Sequence, residues 1–385
     1  MKNLLTLFIF LYTTSIIAQE NINHYTEGKK ELANYQFKKA LDHFKSCQTT
    51  TQTNKDIAYC YFKLGQFNQS MLYYNKVLEE DSQNINALNQ LANIFSKTYD
   101  YKSCISQYQK LIEIDSTNSY YHKRLANYAI KSNKEGLALY HLNKSYKLNQ
   151  DDFSVLLTLT ELHTQFEEYD IAKEYLTKGF SIDSLNSQLL TLQTKIAYKQ
   201  KNYPIMIESL TKSLSLQGDT SVYQLKLLGI AYYHINRFEE SIDLLEKSLI
   251  CQQSDIVHFY LGLSYQSIDS LTKSKLHFER AITTGITDNI DTYYSNLASV
   301  LEKDGNHEDA IKAYQTAYNY SENKVLLFHL AKNYDYYYAD KQTALTYYEL
   351  YLAQNDTGNK ELINYSKFRI NKLKESIHFS LDSID

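Results

Sequence analysis

Small residues return along this chain at a nearly constant interval, and no other feature limits the possible folds as strongly. Ala40, Ser70, Cys104, Ala138, Ala172, Met206, Ser241, Ser274, Ala310 and Ala344 form one column, at separations of 30, 34, 34, 34, 34, 35, 33, 36 and 34 residues. Twelve residues before the first nine lies a second column, Gly28, Ala58, Ala92, Ala126, Thr160, Thr194, Gly229, Gly262 and Ala298, while Ala331 lies thirteen before the last. Four residues after each comes a large side chain: Phe44, Tyr74, Tyr108, Leu142, Leu176, Leu210, Leu245, Phe278, Tyr314 and Tyr348. Self-similarity at such a period marks a repeat architecture in which each unit buries its apolar face against the next. Only 10 glycines and one proline occur in 385 residues, which disfavours a sandwich or barrel with many tight hairpins.

The columns resemble the tetratricopeptide repeat, with small residues eight and twenty places into the unit and a large one at twenty-four. LANIF at 91–95, LGIAY at 228–232 and LGLSY at 261–265 also fit, as do the middle aromatics Phe37, Phe67, Tyr101, Tyr169, Tyr203 and Phe238. The resemblance covers residues 21–358. It implies an all-α fold, an α-solenoid with a right-handed superhelix of about ten helix hairpins, in which small residues sit where helix backbones approach and large ones fill the gaps beside them.

Several positions depart from the family pattern. Tryptophan is absent, and the closing proline is replaced by Ser82, Ser116, Gln150, Ser184 and Gly218. In its place DSQN, DSTN and DSLN at 81, 115 and 183 offer side-chain oxygens that can end one helix and cap the next. Pro204 falls near the start of a second helix, where a missing amide hydrogen costs little. Repeats six and ten differ most, through Met206 and the extra residue after Ala331. Of the 37 tyrosines, those in the columns, Tyr334, Tyr348 and Tyr351 among them, are expected to pack. Tyr336, Tyr337 and Tyr338 fit no column, and their role as a ligand surface stays open. Residues 359–385 hold a capping helix and tail, with Leu362, Ile363, Tyr365, Ile370, Leu373 and Ile377 near helical spacing.

Residues 1–18 are laid out as a secretory signal peptide: Lys2, an apolar run from Leu4 to Ile17, then Ala18 before Gln19 and Glu20. Ile16 is larger than the small residue preferred at that place, so the cut can move by a residue or two. The alternative is an anchor, but fourteen residues fall short of the roughly 20 that span a bilayer. No cysteine stands at the cut to carry lipid. The expected location is exported: periplasmic, outer-membrane-associated or extracellular, in a bacterium. Cys47, Cys60, Cys104 and Cys251 form no C-x-x-C pair, and a disulfide between Cys47 and Cys60 is left open.

No G-x-S-x-G, H-E-x-x-H, phosphate loop or dinucleotide pattern occurs, and the eleven histidines read as scattered. Signal, repeats and cap use the whole chain, so no catalytic domain, metal or cofactor is expected. The formal net charge of −4 gives no reason to expect nucleic acid. The resemblance instead implies a concave face, lined mainly by the first helix of each pair, that holds a segment of another protein. In this register the face includes Lys55, Lys63, Asn89, Asn93, Lys97, Lys123, Asn127, Lys131, Lys195, Lys199 and Lys226, with Glu161 the one acid assigned to it. From repeat seven it turns apolar through Ile230, Tyr233, Ile256, Phe259, Leu263, Val325 and Phe328.

Two readings of that face stand: an ordinary solvated surface, or a groove for an acidic or carboxylate-ended peptide and then an apolar one. The family's carboxylate clamp is half present. Lys123 and Asn127 match it, but Thr158, Gln188 and Leu192 do not. The function expected is a non-catalytic scaffold. The alternatives are an accessory subunit holding a glycan for a partner enzyme, or a membrane-anchored regulatory protein.

Overall fold

The computed structural model describes residues 19–216, 221–285, 288–338, 340–354 and 359–381. The expected signal segment lies outside the described residues. Among them the regular structure is helical throughout, in two units that divide after Ser184.

The first unit holds α1 (19–33), α2 (Phe37–Lys45), α3 (Thr51–Lys63), α4 (Phe67–Glu80), α5 (Ile85–Lys97), α6 (Tyr101–Ile114), α7 (Ser119–Lys131), α8 (Glu135–Leu148), α9 (Phe153–Gln165) and α10 (Tyr169–Ile182). The second holds α11 (Ser187–Lys199), α12 (Tyr203–Leu216), α13 (Val222–His234), α14 (Phe238–Cys251), α15 (Asp255–Ser267), α16 (Leu271–Thr284), α17 (Ile290–Lys303), α18 (His307–Ser321), α19 (Lys324–Asn333), α20 (Lys341–Ala353) and α21 (Lys360–Leu381). Within each unit consecutive helices pack as hairpins, and each hairpin packs on the next.

All three sequence columns are buried over all ten repeats. Their size pattern follows from how closely the two helices of a hairpin approach. A methyl group built on Gly28, Gly229 or Gly262 would stand 2.7 Å from the Phe44 ring, Leu245 or the Phe278 ring respectively. In three repeats the small residue of the Ala40–Ala344 column adds a polar tie. The Ser70 hydroxyl donates to the Ala58 carbonyl at 2.7 Å, Ser274 to Gly262 at 2.7 Å, and the Cys104 thiol to Ala92 at 3.4 Å. Gly262→Ala is therefore expected to cost about 1 to 3 kcal/mol by overpacking. Gly136→Ala, on α8 with nothing within 4 Å of the added carbon, should gain about 0.5 to 1 kcal/mol by stiffening the unfolded chain. Urea midpoints that move the same way in both variants would contradict this packing.

The turn inside each of the first nine hairpins is a backbone device. Tyr35, Gly65, Tyr99, Asn133, Glu167, Lys201, Asn236, Asp269 and Gly305 all take positive φ, between 54° and 81°. The following amide then donates back five residues, as from Asp100 to the Phe95 carbonyl at 2.9 Å and from Lys134 to Ala129 at 2.8 Å. Glycine normally fills such a position, yet here it fills two of the nine.

Between hairpins the Asp-Ser-x-Asn turns act as the sequence suggests. Asp81 and Asp115 accept from the amides of Gln83 and Thr117, and Asn84, Asn118 and Asn186 cap α5, α7 and α11 through their side-chain oxygens. Pro204 is the second residue of α12.

The extra residue of repeat ten has a local cause. Tyr334–Tyr338 form one turn of π-helix between α19 and α20, whose wider ring takes up an insertion without breaking the helix. Asp335 on this turn receives the guanidinium of Arg369 on α21, Nε to Oδ2 at 2.8 Å and Nη2 to Oδ1 at 2.7 Å. Its side chain is only 3% exposed. The six apolar residues expected on the last helix all join the cluster of Leu327, Phe328, Tyr348 and Tyr351. Tyr348 and Tyr351 are fully buried and Tyr334 stacks on Tyr347, whereas Tyr336 and Tyr337 are 56% and 54% exposed. The Tyr336 hydroxyl meets that of Tyr365 at 2.7 Å.

The four cysteines are free thiols. Cys60 lies in the core, where burial pushes its thiol up to about 12.

The histidines are not scattered, contrary to their sequence reading. His24 and His43, His122 and His141, and His258 and His277 meet Nδ1 to Nδ1 at 3.4, 2.8 and 3.0 Å. Each pair occupies the same two places, sixteen residues before and three after the small residue of the Ala40–Ala344 column.

Candidate functional site

Twelve of the residues expected on the face lie on the first helices of the hairpins, and they fall into four groups. Lys63 and Lys97 are exposed at the ends of α3 and α5, their ammonium groups 5.3 and 5.9 Å from the Tyr59 and Phe62 rings. Asn93 is half-buried on α5, and Lys199 is exposed on α11. Lys123 is neutralised within its own unit: its ammonium lies 2.6 Å from Asp152, the residue that caps α9. Burial alone would raise the Asp152 carboxyl, but hydrogen bonds from Lys123 and Ser154 outweigh it and hold the group below the usual aspartate range. Further along, Tyr233 is half-buried among His234, Phe238 and Tyr260. Phe259 is half-buried 5.0 Å from the Tyr293 ring, and Leu263 packs on the same core cluster.

The remaining four residues line cavities. In the first unit Asn127 and Lys131 border a space of about 350 Å³ with Ser96, Arg124, Tyr128, Thr158 and Glu161. In the second unit Lys195 and Lys226 border one of about 560 Å³. The latter is built from α11, α12, α13 and the start of α15. Leu210, Leu227, Ile230 and Ile256 make it apolar, while Tyr198 and Tyr223 stand 51% and 62% exposed at it. Lys226 lies 5.2 Å from the Tyr223 ring. Lys195 is exposed and has no ion pair among the described residues. Gln224 also borders the cavity. Its Nε2 donates to Ser213 Oγ at 2.9 Å, but its Oε1 is buried without a hydrogen-bond partner.

Sequence reasoning missed Arg124 and Gln224, which fall between the register positions assigned to the face. Arg124 had one available signal, as one of only four arginines in the chain. Among the described residues no group of three His, Cys, Asp or Glu is placed to hold a metal, and no helix is long and apolar enough to cross a membrane.

Residues 56–84, 85–118 and 291–324 match the family described as tetratricopeptide repeat, so the chain carries tetratricopeptide repeats. Proteins with such repeats typically serve as interaction scaffolds that bind peptides or proteins, and are generally non-catalytic. No curated protein matches. Among solved structures, a tetratricopeptide repeat protein from Parabacteroides merdae is similar at 12% identity and TM-score 0.43, covering 65% of this chain and 98% of that one. Yeast Tom70 is similar at 11% identity and TM-score 0.40, covering 93% and 97%. YrrB, described as having an unusual peptide-binding site, is similar at 18% identity and TM-score 0.40, covering 52% and 97%.

Proposed function

We propose that this repeat-bearing chain is an exported, non-catalytic scaffold, and that its second unit holds a segment of a protein partner in the cavity bordered by Lys195 and Lys226. The observation that carries this reading is the combination of about 560 Å³ of mostly apolar space with two ammonium groups at its border. A space of that size and lining suits a large apolar side chain, and the lysines favour an acidic residue beside it. The buried, unfilled acceptor of Gln224 gives an entering backbone N–H a partner. Nothing in this arrangement activates a nucleophile or a water, which fits a holding role.

Export rests on the layout of residues 1–18, and its check is the mass of the mature N-terminus, expected to begin at or within two residues of Gln19. The binding test is capture from an envelope extract by the full mature chain, compared with Thr191→Trp, which crowds the cavity from an exposed position, and with Lys195→Glu. Both variants should reduce capture of the same partner by about tenfold, equivalent to ~1.4 kcal/mol, with unchanged melting. Equal capture by all three proteins would remove the cavity from the function. The two exposed tyrosines favour a second reading, since sugar rings also stack on such faces. Binding of glycans with no protein recovered would select it.

A further inference from the structure

The first of the three histidine pairs differs from the other two. In the buried pairs His122 and His258 engage Ser116 and Gln253 through Nε2, and the facing Nδ1 atoms close to 2.8 and 3.0 Å, the span of an ordinary hydrogen bond. His24 on α1 and His43 on α2 stand in the same register but are half-buried, and neither Nε2 has a hydrogen-bond partner among the described residues. Their Nδ1 atoms lie 3.4 Å apart, beyond the roughly 2.7–3.2 Å usual for an N–H donor. With no acceptor fixing either ring, both neutral imidazoles can carry their proton on Nε2 and present two Nδ1 lone pairs to each other. Such a pair is a ready-made half of a cation site.

The spacing selects the kind of ion. Bonds of about 2.0–2.1 Å from zinc to imidazole nitrogen, at the tetrahedral angle, set two ligand nitrogens roughly 3.3–3.4 Å apart. The buried pairs are closer than this, and their Nε2 contacts hold the rings. The rings of His24 and His43 have centres 5.7 Å apart and planes inclined by 42°. A small tilt of each half-exposed ring brings both lone pairs onto one ion. Imidazole also suits divalent copper and nickel, so the class is a divalent transition ion rather than calcium or magnesium, which take oxygen.

Cys47, one turn after His43, is not a third ligand. Its thiol is turned to the carbonyls of His43 and Asn21 at 3.4 and 3.8 Å, and burial pushes its pKa up, so that it stays protonated. No third His, Cys, Asp or Glu joins the pair among the described residues, which leaves the other positions of the ion to water.

We propose that His24 and His43 bind one divalent transition ion of the zinc class through their Nδ1 atoms, clipping α1 to α2 in the first described hairpin. The ion adds a polar tie to a contact otherwise made by Gly28 and Tyr25 against the Phe44 ring. The proposal is independent of the scaffold reading.

The test uses the full mature chain, free of any histidine tag and stripped with EDTA, titrated with zinc chloride in a calorimeter. One ion per chain should bind. His24→Gln and His43→Gln should each weaken binding about tenfold or more, since even the partners of a metal ligand are worth that much. Cys47→Ser should leave the affinity unchanged. In the unsubstituted chain zinc should move the imidazole proton signals of two of the eleven histidines in the NMR spectrum, a readout that needs no variant to fold. No binding, an affinity unchanged in either histidine variant, loss of binding in Cys47→Ser, or zinc shifts confined to other histidines would overturn the clip.

Discussion

Acidification from pH 7 to about pH 4 is expected to weaken each unit by about 2 kcal/mol through its buried histidine pair, beyond the general effect of carboxylate titration. In the first unit His122 donates Nε2–H to the Ser116 carbonyl at 3.2 Å, so its neutral form offers Nδ1 as acceptor to Nδ1–H of His141 at 2.8 Å. In the second unit His258 repeats this, with Nε2 on Gln253 Oε1 at 3.0 Å and Nδ1 facing His277 at 3.0 Å. Protonating His141 or His277 places a charge in a buried site beside a facing imidazole. Burial, followed by the facing imidazole and nearby Lys144, lowers His141 to about 4. Burial, His258 and Arg280 lower His277 to about 4.

Because the folded values lie below the ordinary 6.5, the unfolded chain binds more protons between these limits. The pair's contribution is therefore fully present above pH 6.5 and is lost as pH falls toward 4. A value of about 4 in place of 6.5 converts to ~3 kcal/mol, reduced to about 2 because the rings keep some contact with solvent. Replacing His122 and His141 by Leu and Tyr, the residues that Leu156 and Tyr175 supply at the same places one repeat later, should flatten the dependence in the first unit. Urea unfolding at pH 7 and pH 4.5 checks this, and an unchanged pH slope in the double variant would refute it.

Arg369→Met should cost about 3 to 5 kcal/mol in the second unit, the largest effect of any single replacement considered. The substitution leaves Asp335 as a carboxylate with 3% exposure and no cation. The expected failure is local. α21 should lose its hold on the π-turn, and protease should then cut within the first turns of α21 well before the rest of the unit unfolds. Combining Arg369→Met with Asp335→Asn removes the stranded charge and should recover more than half of the loss. Equal destabilisation by the single and double variants would show that the side chains' packing, rather than their charges, joins helix to turn.

The fold was legible because close approach of two helices is a demand on side-chain volume, and volume is written in residue identity. Gly262 beneath the Phe278 ring and Ser70 on the Ala58 carbonyl obey the same demand in different repeats. Even the π-turn had a trace, in the thirteen-residue spacing from Ala331 to Ala344 where twelve is the rule.

The site was less legible because its chemistry joins residues from different hairpins. Nothing near Lys123 in sequence announces that Asp152, twenty-nine residues on, will neutralise it. Arg124 acquires its fixed geometry from Tyr108 on the preceding hairpin. The histidine pairs were readable in principle. Their nineteen-residue separation repeats three times in one register, a spacing that matches no metal or catalytic pattern and has meaning only as a position within the repeat.

The left-handed residue that closes each of the first nine hairpins makes the chain easy to edit by whole cassettes. Tyr99 and Asn133 have the same backbone sense, with φ of 60° and 54°, and their successors return to the preceding helix by the same hydrogen bond. A splice that joined Tyr99 to Lys134 would delete one period and reconstitute the same bend at the junction. The local geometry does not depend on glycine, so duplication or excision of a unit meets no special residue that must be conserved at the seam.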